Sequence, residues 1–93
     1  MWAKRRTIKE NARYTAEQNS INPNVARMDE ILDGVFWQLS RDPSKDPICK
    51  RVGTSNVWAI STLEFPNAHA VIIYYTFDEN EVELLSIELS DED

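Results

Sequence analysis

Ninety-three residues, with ten Lys and Arg against sixteen Asp and Glu for a formal charge of −6, bound the chain to one small domain with one core. A hydrophobic fraction of 42% excludes wholesale disorder, and the longest strongly apolar run, Ala70–Tyr75, is far short of the ~20 residues a membrane-spanning helix needs. Cys49 is the one cysteine, so it cannot form an internal disulfide and offers no metal-ligand cluster. Met1-Trp2-Ala3-Lys4-Arg5-Arg6 resembles a secretion signal in charge only, because Thr7-Ile8-Lys9-Glu10-Asn11 follows where an apolar stretch belongs. The expected compartment is the cytoplasm.

The charge is unevenly placed. All ten cations lie in Met1–Arg51 against seven acids, about +3, whereas Val52–Asp93 holds nine acids and no Lys or Arg, −9. Any surface for nucleic acid has to draw on the first half. Ser90-Asp91-Glu92-Asp93 reads as a frayed, solvated tail.

Residues 1–23 are the most ambiguous. Thr7-Ile8-Lys9-Glu10 fits a capping box, which predicts a helix from Ile8 to about Gln18 with Ile8, Ala12 and Ala16 on one face. That face is thin, and a first strand within Lys4–Thr15 fits as well. Asn19–Asn24 breaks the chain, with Pro23 holding Asn22 extended. Asn24 is a good N-cap, and Val25, Met28, Ile31, Leu32, Val35, Phe36 and Leu39 then recur at three- and four-residue spacing. This predicts an amphipathic helix that Asp42-Pro43 ends. Gly34 costs that helix about 1 kcal/mol against Ala, which points to close packing or a kink. Trp37 sits at the stripe's edge, positioned to reach a neighbouring element.

Ser44–Asn56 reads as a locally basic loop. Val57-Trp58-Ala59-Ile60-Ser61-Thr62-Leu63 reads as a strand, and Phe65-Pro66-Asn67 turns the chain. Ala70–Phe77 is β-branched and aromatic, Asp78-Glu79-Asn80 has turn chemistry, and Glu81–Leu89 returns as a second strand, an antiparallel hairpin. The expected class is α+β: a single domain over 1–93, with a small twisted antiparallel sheet of three to four strands ending in a meander. One or two helices pack on one face of it.

Leu39-Ser40-Arg41-Asp42-Pro43 at the helix end resembles the RelE/ParE toxin superfamily of bacterial type II toxin–antitoxin systems. So does the strand Val57-Trp58-Ala59-Ile60-Ser61-Thr62. The closing pair, Val71-Ile72-Ile73-Tyr74-Tyr75-Thr76-Phe77-Asp78 and Val82-Glu83-Leu84-Leu85-Ser86-Ile87-Glu88, is similar to the hairpin of that superfamily. The resemblance covers about Asn24–Leu89. It implies a small twisted sheet with one or two helices, and a toxin neutralised by an antitoxin that wraps it. The implied target is ribosome-bound mRNA, cleaved, or DNA gyrase, inhibited. It leaves a homodimer open and calls for no metal or cofactor. The chain departs from the RNA-cleaving members in two respects. Ala70–Tyr75 is wholly apolar where they carry a strand Arg. The end of the last strand, Leu89-Ser90-Asp91-Glu92-Asp93, also lacks their basic or Tyr/His residue. Metal-free phosphodiester cleavage needs a base, an acid and positive charge on the developing phosphorane, and this hairpin supplies none of that charge.

The candidate catalytic residues are Lys50, Arg51, His69 and Tyr75, and each has a plainer reading. His69 is a turn or edge residue, and Tyr74 and Tyr75 point to opposite sheet faces, one of them into the core. Arg41, Lys45, Lys50, Arg51 and Trp58 are the candidate nucleic-acid contacts. Their plainer readings are a solvated loop, a favourable cation at the helix C-terminus for Arg41, and sheet packing for Trp58. Lys4-Arg5-Arg6 is either a further contact or a solubilising terminus, and Cys49 an ordinary thiol.

Three functions compete. The first is a toxin-like component acting on ribosome-bound mRNA or gyrase. The second is a catalytically inactive binding protein on the same scaffold, with a small basic partner. The third is an unrelated acidic module that takes peptides by strand addition or mimics nucleic acid through Glu79, Glu81, Glu83 and Glu88.

Overall fold

The computed structural model describes residues 5–21, 28–44, 49–61 and 71–89. They form β1 (Thr7–Glu10), α1 (Ala12–Ile21), α2 (Met28–Arg41), β2 (Cys49–Arg51), β3 (Trp58–Ser61), β4 (Val71–Phe77) and β5 (Glu81–Leu89). The class is α+β. The sheet has five strands in the order β1-β5-β4-β3-β2. Strands β2 to β5 run antiparallel as the meander requires, and β1 lies parallel to β5, so the sheet is mixed.

Both helices face one side of the sheet. On α2 the residues Met28, Ile31, Leu32, Val35 and Leu39 are buried, the predicted stripe. They join Cys49, Ile60, Val71, Ile73, Tyr75, Val82, Leu84, Ile87 and Tyr14 of α1 in one core cluster. Asp42-Pro43 ends the helix as expected. The Asp42 amide donates to the Gln38 carbonyl at 2.8 Å, and the Asp42 carboxylate accepts from the Ser44 amide at 3.1 Å. The expected N-cap, Asn24, lies outside the described residues.

The N-terminal segment corrects the capping-box reading. Thr7–Glu10 is a strand, registered Thr7 to Glu81 through Glu10 to Leu84. The helix begins only at Ala12, and Asn11 caps it: the Arg13 amide donates to Asn11 Oδ1 at 2.8 Å and the Thr15 amide to the Asn11 carbonyl at 3.0 Å. Glu10 accepts from Thr15 Oγ1 at 3.0 Å instead of reaching back to Thr7. Tyr14, which belongs to no predicted face, is the residue α1 buries. Among the described residues its hydroxyl has no hydrogen-bond partner, and burial pushes its pKa up.

Two further differences concern strands. Cys49–Arg51 lies inside the expected loop yet pairs with β3, Cys49 opposite Ile60 and Arg51 opposite Trp58. The connecting turn uses Gly53 at φ 58°, a left-handed conformation that suits glycine. On β5 the buried residues run Val82, Leu84, Ile87 and skip a beat. A β-bulge between Tyr74 and Tyr75 explains the skip: Tyr75 pairs with Leu84 and Tyr74 with Ser86, leaving Leu85 extra. The hairpin turn is held by Asp78, whose carboxylate accepts from the amides of Asn80 at 2.7 Å and Glu81 at 2.9 Å. These hydrogen bonds hold its pKa below the usual carboxylate value.

Gly34 does not have the packing role expected of it. A methyl group at its Cα would meet nothing within 4 Å. Gly34→Ala is therefore expected to stabilise the protein by about 0.5–1 kcal/mol, a gain a urea unfolding curve measures directly. Trp37 is 55% exposed, and Arg41 Cζ lies 4.8 Å above its ring.

Candidate functional site

Among the described residues, those expected to serve catalysis or nucleic-acid binding do not converge. Lys50 and Arg51 are adjacent on β2 and so point to opposite faces of the sheet. The Arg51 guanidinium donates to the carbonyls of Ser55 at 2.6 Å and Thr54 at 3.2 Å, so it staples the turn between β2 and β3. Arg41, at the far end of α2, is stacked on Trp37. Trp58 is half-buried on β3, edge to face with Phe77 at 5.6 Å. That is the packing reading, not an open stacking platform. Tyr75 is fully buried, and its hydroxyl donates to the Pro43 carbonyl at 2.5 Å. Burial and the neighbouring Cys49 push its pKa up. Lys45 and His69 lie outside the described residues, as does Lys4.

Arg6 is engaged too. Its Nε donates to the Asp78 carbonyl at 2.6 Å and its guanidinium lies 5.6 Å over the Phe77 ring. It fastens the hairpin turn to the N-terminal strand. Cys49 is 1% exposed and faces the core. Among the described residues no group of three His, Cys, Asp or Glu is placed to hold a metal ion, and no helix is long and apolar enough to cross a membrane.

What the fold does present is the sheet face turned away from both helices. Pairing sets its rows: Ser61, Ile72 and Glu88; then Lys50, Ala59, Tyr74 and Ser86; then Thr76, Glu83 and Lys9. Ile72, Tyr74 and Thr76 are only half-buried. Glu81, Glu83 and Glu88 all belong to this face of β5, with lysines only at the two outer strands. The Tyr74 hydroxyl lies 3.5 Å from Glu88 Oε2, and burial followed by that carboxylate raises its pKa. The face is a shallow apolar centre with an acidic side.

One residue that the sequence did not single out organises the sheet edge. Strand β1 covers β5 only from Glu81 to Leu84. Beyond it, Glu17 of α1 takes over: its Oε1 accepts from Ser86 Oγ at 2.7 Å and from the Ile87 amide at 3.2 Å. The Ser86 hydrogen bond, then the Ile87 amide and Arg13, hold the Glu17 pKa below its ordinary value. An edge amide that strand pairing leaves open is thereby closed by a carboxylate. The signal available in the sequence was weak, an acid one turn into a helix with little amphipathic character.

Comparison with protein families, with curated proteins and with solved structures finds no match.

Proposed function

We propose that this chain is a toxin-like component of a type II toxin–antitoxin pair of the RelE/ParE kind, acting in the cytoplasm by binding its target and neutralised by an antitoxin protein. The resemblance of Leu39–Pro43, Val57–Thr62 and the Val71–Glu88 hairpin supports the class. A small sheet with two helices on one face accords with what that resemblance implies. The observation that carries binding over cleavage is the dispersal of the candidate groups among the described residues. Arg51 is committed to turn carbonyls, Arg41 stands apart from it at the end of α2, and the Tyr75 hydroxyl is bound to a buried carbonyl. General acid, general base and positive charge have to converge within hydrogen-bond reach of one phosphate to cut RNA. Of the two targets the resemblance implies, DNA gyrase is the one whose inhibition calls for no cleavage chemistry, and it is the target proposed here.

Tightly induced expression of the chain alone in a bacterial culture tests the reading. Growth is expected to arrest while incorporation of labelled amino acids at first continues. Prompt collapse of incorporation instead points to the ribosome and to Lys50 and Arg51. The acidic face formed by Glu81, Glu83 and Glu88 favours one second reading, a binding protein with no toxicity and a small basic partner. Normal growth at good yield selects it.

A further inference from the structure

Helix α2 carries a second organised face, opposite its buried stripe. Glu30, Gly34, Trp37 and Arg41 are spaced by four, three and four residues, so at ~3.6 residues per turn they form one narrow seam along the helix. All four are exposed. Two of them lack a reason among the described residues. Gly34 weakens the helix although nothing lies near its Cα, and Trp37 leaves 55% of its surface in solvent.

We propose that this seam is a homodimer interface, in which α2 of one copy packs antiparallel against α2 of a second copy. The register argues for the second copy over any other occupant. In a two-fold antiparallel helix pair, facing positions have a constant sum of residue numbers. Setting Gly34 against Trp37 of the other copy sets Arg41 against Glu30 at the same time. The bulky indole then meets the residue with no side chain, and the cation meets the anion, twice each by symmetry. Arg41 already lies flat over its own Trp37 ring. A stacked guanidinium keeps its N–H edge available for a carboxylate, so the stack and the intermolecular pair are compatible. Gly34 allows the two backbones to approach closely, and Trp37 supplies the kind of aromatic anchor that dominates small interfaces. A helix of 14 residues limits the contact, so the dimer belongs to the weak, concentration-dependent class.

Sedimentation equilibrium on the full chain tests this. The wild type is expected to pass from monomer to dimer at concentrations on the order of 10–100 µM. Trp37→Ala is expected to raise the dissociation constant at least ~10-fold. Gly34→Gln is expected to do the same while melting no lower than wild type, so loss of fold cannot account for its effect. Glu30→Arg and Arg41→Glu should each remain monomeric alone, because each places like charges opposite one another. Mixed together they should associate, since every facing pair then becomes opposite in sign. A wild type that stays monomeric throughout this range overturns the proposal. So does a dimer that these substitutions leave unmoved, or charge variants that fail to associate when mixed.

Discussion

Tyr75→Phe is expected to destabilise the protein by about 1–3 kcal/mol, although the exchange removes a single oxygen atom. The hydroxyl lies in a fully buried position and donates to the Pro43 carbonyl, itself in a buried residue just past the end of α2. Removing the donor leaves that carbonyl without water and without its partner, and the cost is its desolvation. Tyr75→Ala adds loss of the ring from the middle of the core, beside Leu84, Ile73 and Phe77, and is expected to cost about 3–5 kcal/mol. For a domain this size that is a large part of the total, on the order of 5–10 kcal/mol. Tyr14→Phe is the internal control. The Tyr14 hydroxyl is buried without a partner among the described residues, so its removal should be neutral or mildly stabilising. Urea unfolding of the three variants separates these outcomes. If Tyr75→Phe is as stable as wild type, the buried bond to Pro43 does not hold the end of α2.

Glu17→Ala is expected to cost about 1–2 kcal/mol and to open the sheet edge beside it. The carboxylate accepts two hydrogen bonds, from the Ser86 hydroxyl and the Ile87 amide, that nothing else described can accept in its place. Its surface ion pair with Arg13, 3.3 Å away, adds little because Arg13 is 74% exposed. The pH dependence has a definite sign. Folding lowers the Glu17 pKa from its ordinary value of about 4.5, because the charged form is the one the two donors hold. The contribution is therefore complete at neutral pH, begins to fall as pH drops through 4.5, and is gone below the lowered folded value. Glu17→Gln should unfold with a shallower acid limb than wild type. Amide hydrogen exchange at Ile87 should accelerate in Glu17→Ala more than at Ile73, which lies across the ladder inside the sheet. Equal protection of Ile87 in wild type and variant would show that the edge is closed by something other than this carboxylate.

How far the fold could be read in advance follows from how local its causes are. The α2 stripe repeats over more than three turns, and its stop signal, Asp42-Pro43, acts on neighbouring residues. Helix and terminus were both legible. The β4–β5 hairpin was legible for the same reason, through β-branched runs bracketing Asp78-Glu79-Asn80. Strand β1 was legible only as the alternative within Lys4–Thr15, because Thr7 and Glu10 stand at capping-box spacing. What makes Thr7–Glu10 extended is pairing with Glu81–Leu84, more than seventy positions along the chain. Strand β2 is three residues long and carries no periodic signal. The bulge at Leu85 was written in the spacing of Leu84 and Ile87, but only the pairing with Tyr74 and Tyr75 explains it.

The candidate site was less legible than the fold. Lys50 and Arg51 look like a patch in one dimension, and strand geometry alone sends them to opposite faces. Arg6 and Arg51 look like free cations, yet each is spent on backbone carbonyls of a turn. Glu17 gave almost no warning, since its partners Ser86 and Ile87 meet it only through the packing of α1 on the end of β5. Gly34 and Trp37 were noticed for their cost and size. Their exposure, and hence the seam they share with Glu30 and Arg41, needed the position of the core.

The most direct test of binding without cleavage is to incubate the purified protein with translating ribosomes and map the 5′ ends of the message by primer extension. An intact message is expected, unchanged from ribosomes without the protein, in the same range of protein concentration that inhibits gyrase supercoiling. New, discrete ends in the coding region that appear in proportion to added protein would contradict it and would make this chain a ribosome-dependent nuclease.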